Sequence, residues 1–510
     1  MKYYKRLFIL IVVSVFLFIK SQDFIKQDSN MTLRLGHNFD RSIESLNPSR
    51  IDELSEAIIL RNLYSPLFEY DEKGNIVTGL ARTFVWENGS LKVSLITDPV
   101  FSDGSKVSID DVIFSLKRLM FLGDNYHGDL KEILCPNHKL LSIDDDCPGL
   151  TVYKNEIIFK AHSEELSKQL IPLLATVDFR IIPKKSFNLL DKKYPIQDFK
   201  ITSGPYSVSK YDSKGNFILE ANQYHYRYSQ QMPQIVEVYS YTYKQAVEKI
   251  LNGEIDALST SITITKDDYD KIKSKHGDLS VSKSFNLKIN ALFFGKKAIQ
   301  DFTAEQRFVA AKVLKQDFYD KIVLPFEEPS IEFFQDFASG YLNKFQKDEI
   351  NKLRQNSNSL SSSLRRKIKI AVYKRSIERW KDFLSKYSYF EPAIQESSPF
   401  YLSVSDRPDI FSGVNDVTFN KSISVLSYNL KQGIFGFYDD EANKWFRKYA
   451  NAENSEEAIK VLNDLHFQAL KNCAIYPLSV SPYILLARNG WIAKMNPFFS
   501  STELWLIRKN

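Results

Sequence analysis

The stretch FSDGSKVSIDDVIFSLKRL, Phe101 to Leu119, constrains the fold of this chain more tightly than any other. Asp103-Gly104 is a turn signal, because glycine tolerates positive φ and aspartate can bond its own backbone. Ser108 followed three residues later by Asp111 reads as a capping box with Asp in the place of the usual Glu or Gln. Ile109, Val112, Ile113, Leu116 and Leu119 or Met120 then recur at helical spacing and form one apolar face. The local sequence therefore specifies strand end, turn and capped amphipathic helix. Asp110 and Asp111 sit where a helix dipole favours acids, so the stretch reads as scaffold.

The rest of the chain repeats this alternation without an internal repeat. TLRLGHN is strand-like, and a helical pattern runs through Ile58, Ile59 and Leu63. Asp71 to Gly74 turns between two short extended pieces, and LKVSLI alternates as a strand feeding Phe101. The polar region Gly123 to Gly149 reads as a loop insertion, EIIFKAH as a strand and SEELSKQLIPLLA as a capped helix. ITSGPYSVSKYDSKGNFILEAN gives two strands around a Lys-Gly turn, and YKQAVEKILNGEIDALS gives a helix ended by Gly253 and then a strand. TAEQRFVAAKVLKQDFYDKI is a helix with Thr303 as N-cap, and NSNSLSSSLRRKIKIAVYK is a linker feeding a β-branched strand. A long helix from Ser455 to Leu470 precedes the last short strands. At 510 residues, such alternation implies several mixed α/β units rather than one.

The N-terminus bears on compartment and charge together. Lys2, Lys5 and Arg6 precede an apolar run from Leu7 to Ile19, the layout of a secretory signal peptide. That run is shorter than the roughly 20 residues of a spanning helix. Cleavage near residue 22 gives an exported, periplasmic protein; an uncleaved N-terminal anchor is the alternative, since Phe18 and Lys20 fit a cleavage site poorly. No Cys lies near the end of the run, which argues against a lipoprotein. Lys2, Lys5, Arg6 and Lys20 supply four of the net +6 charges, so the mature chain is near +2. Nothing in that balance supports a nucleic-acid partner, and Arg365-Arg366-Lys367 reads as a solvated face.

Three cysteines are too few for a disulfide framework. Cys135 and Cys147 could bridge their loop in an oxidising compartment, or form a metal half-site with His138 that lacks a fourth ligand. Cys473 falls in an apolar pattern and reads as a buried small hydrophobe. The seven histidines are scattered, and no H-E-x-x-H, G-x-S-x-G, P-loop or G-x-G-x-x-G is present. Two distant carboxylates could still serve a glycosidase. No cofactor is implied.

The order of motifs is more specific than any one of them. LNPSRI, RNLYSPLFEYDEKGNIVTGLA, FSDGSKVSIDDVIFSLKRL, SGPYSV, LNGEIDAL, FTAEQRFVAAKVL and KIKIAVYKRSIERWKDFL follow one another as in the family 5 solute-binding proteins of ABC importers, the oligopeptide-, dipeptide- and nickel-binding group. FYDDEANKWFRKYANAENSEEAIKVLNDLHFQALKNCAIYPLSVSPYIL resembles the family's C-terminal helix and strand. The resemblance implies an α/β, two-lobed periplasmic binding protein-like fold of type II, in its large three-domain class, with the ligand cleft between lobes. Domain I is then discontinuous (31–65, 178–270 and 478–510), domain II spans 66–177 and domain III, the second lobe, spans 271–477. It further implies a monomer that closes on a peptide or similar small solute and docks on membrane permease subunits.

For the site, the resemblance points to Asp416. In peptide binders of the family an aspartate of the Gly-Trp-x-x-Asp-Tyr-x-Asp-Pro segment meets the ligand ammonium. Here PDIFSGVNDVTFN aligns Gly413 and Asp416 with one residue missing, Val414 in place of Trp and no Asp-Pro, so a loop or capping role for Asp416 is the alternative. Tyr428 is a cleft candidate against ordinary core packing. The loop Ser45 to Arg50 should face the cleft, with Ser45 and Asn47 as candidates. LPFEEPSIEFFQDFASGYLNKFQ departs from the family's usual pattern. An exported hydrolase, and a binding protein repurposed as a sensor or interaction protein without a transporter, are the competing functions.

Overall fold

The computed structural model describes residues 31–510 apart from 40–45, 50, 52–53, 123–127, 137, 192–194, 322–323, 337, 356–363, 375–376, 397, 417–425, 427–428 and 453. Its first lobe is built on a seven-stranded sheet in the order Ser280–Lys283, Ile484–Ala487, Ala257–Leu258, Thr32–His37, Ile235–Ser240, Phe217–Ala221, Tyr206–Tyr211. The central strand Thr32–His37 runs parallel to both neighbours. Leu33 and Leu35 on it are fully buried, as a central strand covered on its faces requires.

A four-stranded antiparallel sheet, Ala81–Glu87, Ser90–Leu95, Glu156–Lys160 and Leu150–Tyr153, forms the second unit of this lobe. It packs with the helix Ile109–Leu122, whose capping box forms as the sequence specifies. The Asp111 amide donates to Ser108 Oγ (3.2 Å), and the Ser108 amide donates back to Asp111 Oδ2 (2.9 Å). The other oxygen, Asp111 Oδ1, accepts from the Lys184 amide at 2.8 Å, so the cap also ties the helix to the chain returning to the first sheet. Gly104 takes φ +80° in the preceding turn, and the Ser105 amide closes on Asp103 Oδ1.

The second lobe carries a six-stranded sheet in the order Glu328–Pro329, Ile475–Ser481, Lys288–Phe294, Ile410–Asp416, Ile368–Tyr373, Phe390–Gln395. The helices Ala304–Asp317 and Ile377–Lys386 contribute Phe308, Leu314, Trp380 and Phe383 to the core on one face. The helices Asp439–Ala450 and Ser455–Lys471 contribute Tyr449 and Leu465 to the core on the other. That second core is continuous with Leu116, Leu170 and Leu173 of the four-stranded unit, so the lobes touch.

Two stretches of chain join the sheets, and they cross together. Ser280–Lys283 pairs antiparallel with Ile484–Ala487 in the first sheet, and Lys288–Phe294 pairs antiparallel with Ile475–Ser481 in the second. Residues 284–287 and 482–483 therefore form a two-strand crossover. It is hydrogen-bonded: the Ser284 amide donates to the Tyr483 carbonyl (3.0 Å), and the Tyr483 amide donates to Ser284 Oγ (2.8 Å). The sheets thus exchange the chain later than the expected divisions at 270/271 and 477/478; the first falls inside the helix Lys266–Lys275, the second inside the strand Ile475–Ser481.

Two local readings change, and one left open between alternatives is decided. Within the expected loop insertion, Gly128–Leu134 is helical and buries Leu130, Ile133 and Leu134, an i, i+3, i+4 set. Of the two cysteine alternatives, Cys135 and Cys147 form a disulfide, and Cys473 is buried and free. Arg366 is not simply solvated; its guanidinium bridges Asp409 and Asp301. The signal segment lies outside the described residues. Among those described, no helix is long and apolar enough to cross a membrane.

Candidate functional site

The strand Ile410–Asp416 organises the second lobe beside the crossover. One of its edges pairs along its whole length with Lys288–Phe294, from Phe294↔Ile410 to Lys288↔Asp416. Its other edge meets the parallel strand Ile368–Tyr373 only at Ile370↔Ile410. Among the described residues, Phe411 to Asp416 therefore presents unpaired main-chain donors and acceptors along one side, a template for another extended segment. Val414 is 53% exposed there, unlike the buried valines of a covered strand. Gly413 is required by a close approach: a Cβ would lie 2.5 Å from Phe400 Cε2.

A cavity of about 470 Å³ opens at this strand. Because Asn290 pairs with Val414 and Leu292 with Ser412, these four residues share one face of the sheet. Asn290, Ser412 and Val414 line the cavity from that face, and Tyr319 and Tyr373 wall it beside them. The Tyr319 hydroxyl hydrogen-bonds Ser412, and burial raises its phenol above the ordinary tyrosine value. Lys315 and Asp320, also at the wall, neutralise one another at 2.6 Å. Leu324, Glu327 and Pro329 also line it, and Phe326, beside Glu327, packs on Tyr269 of the first lobe. There Asn290 Nδ2 donates to Glu327 Oε1 (3.2 Å) and to Ser479 Oγ (3.1 Å), and Ser479 Oγ donates to Glu327 Oε1.

A second cavity, about 650 Å³, lies where Glu132 faces Lys431, Tyr438 and Phe446. It adjoins Lys296, just past the strand end at Phe294, and so is remote from the crossover; Lys296 is engaged with Asp439 at 2.7 Å. The larger cavity takes Glu132 from the four-stranded unit, whereas the residues lining the smaller one all belong to the second lobe; the smaller combines the open strand edge with the polar side chains of Asn290 and Ser479 near the crossover.

The residues singled out from sequence fall as follows. Asp416 is the last residue of the open-edged strand, opposite Lys288, and its side chain lies outside the described residues. Ser45 and Tyr428 lie outside them entirely. Asn47 is described, and its Oδ1 accepts from the Ser49 amide (3.0 Å) and from Arg118 Nη2 (3.0 Å). Arg118 is buried and lies over the Phe187 ring, so the Asn47 side chain closes its own turn and anchors the loop to the helix Ile109–Leu122. Sequence reading missed Asn290, Tyr319, Glu327, Tyr373 and Ser479, which come from separate segments. The one available signal was that Glu327 lies in the stretch that departs from the family pattern.

Among the described residues, no group of three or more His, Cys, Asp or Glu side chains is placed to hold a metal ion. Comparison with curated proteins finds no match. Residues 75–302 match the model of the bacterial extracellular solute-binding proteins, family 5, middle region. Several solved structures share the whole fold. NikA from Staphylococcus aureus, in complex with Ni(L-His)2, aligns with TM-score 0.70 at 14% identity over 94% of this chain and 100% of its own. OppA from Haemophilus influenzae, in complex with RPPGFSPFR, gives TM-score 0.71 at 14% identity, covering 94% of this chain and 99% of that one. A dipeptide binding protein from Pseudoalteromonas sp. SM9913, in complex with Met-Leu, gives TM-score 0.71 at 14% identity over 94% and 100%. Across its middle region, and in the fold of its described length, the chain is similar to the extracellular solute-binding proteins of family 5.

Proposed function

We propose that this protein captures a peptide or similar small solute between its two lobes and delivers it to the permease of an ABC importer in the inner membrane. One observation carries the peptide reading: the open edge of Phe411–Asp416 beside a cavity at the crossover. An extended peptide satisfies such an edge with main-chain hydrogen bonds of any sequence, while alternate side chains enter pockets. A cavity of about 470 Å³ suits a few residues rather than a polymer. The two-strand crossover supplies the hinge, and binding then shifts the population toward the closed form by contacts made only there. Asp416 ends the edge strand and stays a candidate by resemblance, and Asn47 acts by holding its loop in shape. Export fits the Cys135–Cys147 disulfide, since such bonds persist in oxidising compartments.

The test is to purify the mature protein, denature it and identify what is released by mass spectrometry. One peptide or small solute per chain is expected. Turnover of a supplied substrate with no retained molecule would refute the proposal.

A further inference from the structure

Resting on the solute-capture reading, we infer that Glu327 is the group that recognises a cationic part of the solute, a primary ammonium in the first instance. The charge at the cavity wall supports this. Lys315 and Asp320 cancel, which leaves Glu327 as the uncompensated charge among the residues lining it. Among the described residues no cation pairs with Glu327. Its oxygens are instead held by neutral donors: Asn290 Nδ2 and Ser479 Oγ on Oε1, and the Leu324 amide on Oε2 at 3.1 Å. Three neutral hydrogen bonds orient a carboxylate without discharging it; Oε1 already accepts two of them, and Oε2, which accepts one, retains acceptor capacity for an incoming N–H.

The backbone that presents Glu327 is under constraint. Phe326, the residue before it, has φ +59°, a conformation costly for a bulky side chain. Its ring packs edge-on against Tyr269 of the first lobe (5.5 Å between centroids), and Lys283 Nζ lies 4.2 Å from the ring centre. Tyr269 and Lys283 belong to the first lobe, whereas Asn290 and Ser479 belong to the second sheet. The Glu327 carboxylate is thus aimed by donors of the second lobe, while the residue before it packs on the first, so the loop that carries the charge spans the hinge.

The test offers the mature protein a mixture of tripeptides lacking Lys, Arg and His, once with free and once with acetylated amino termini. Retained peptides are counted by mass spectrometry after desalting. Wild type should retain the free form roughly thirty-fold or more over the acetylated form, and Glu327→Gln, with an unchanged thermal midpoint, should lose that preference. If Glu327→Gln keeps the wild-type preference, the role of Glu327 is overturned while solute capture stands. Retention of neither form by wild type overturns the peptide reading and this inference with it. Should Glu327→Gln not fold, equal retention of free and acetylated peptides by wild type overturns the inference alone.

Discussion

Replacing His466 with glutamine should flatten the acid side of the protein's stability profile. His466 is fully buried on the helix Ser455–Lys471; its Nε2 accepts from the Phe333 amide at 2.9 Å, and its Nδ1 lies 3.0 Å from the Gly340 carbonyl. With Nε2 an acceptor, Nδ1 must carry the proton, and the neutral ring satisfies both contacts. Burial depresses its pKa to about 4, against the pull of the Gly340 carbonyl, from an ordinary 6.5. The unfolded chain therefore binds the proton first. The stabilisation is complete above pH 6.5, is lost as pH falls from 6.5 toward 4, and changes no further below that. Between pH 8 and pH 5 the loss from this residue is roughly 2 kcal/mol, approaching a ceiling of roughly 3 kcal/mol. Urea unfolding of wild type and His466→Gln at both pH values isolates it, because His37, His225 and the carboxylates contribute equally to both proteins. The stability gap between wild type and variant should narrow by roughly 2 kcal/mol at pH 5. A gap that is the same at both pH values, or an imidazole NMR titration for His466 centred near 6.5, refutes the reasoning.

Other perturbations have similarly defined outcomes. Reducing the Cys135–Cys147 bond, which spans 12 residues, should destabilise the four-stranded unit by roughly 3 kcal/mol, and a thiol reductant should lower the melting midpoint of wild type but not of a Cys135→Ser, Cys147→Ser variant. Arg61 and Glu503 are buried at 3.3 Å, with burial pushing the Glu503 carboxyl up and the Arg61 guanidinium down. Glu503→Leu should cost about 3–5 kcal/mol in denaturant titration, because it strands a buried guanidinium. Gly413→Val should displace Phe400, cost about 1–3 kcal/mol and diminish the solute recovered with the purified protein. Recovery at the wild-type level would show that the open-edged strand does not form the site.

Much of the fold was legible because local signals and long-range packing agree. Ser108 and Asp111 cap their helix as read, Thr303 and Gln306 form a full capping box, and Gly253 ends its helix at φ +79°. The helix Gly128–Leu134 was hidden by surrounding polar residues, although Leu130, Ile133 and Leu134 carry its spacing. The site was far less legible. Asn47 drew attention by position in its loop, yet its amide is engaged by Arg118, a residue 71 positions away that no local pattern connects to it. Glu327, Asn290 and Ser479 meet only because two strands cross the hinge together and a loop folds back on them. Spacing rules describe neighbours on one element, and this cavity draws on at least five.

Capture by closure is tested most directly by the distance between lobes. Spin labels at Lys244→Cys, on the helix Tyr243–Asn252 of the first lobe, and Lys352→Cys, on the helix Lys344–Gln355 of the second, report it, since both positions are exposed. With the solute removed by unfolding and refolding, a broad or two-peaked distance distribution is expected, collapsing to one narrow peak when the released solute is returned. A single distance, identical with and without the solute, would contradict capture between moving lobes.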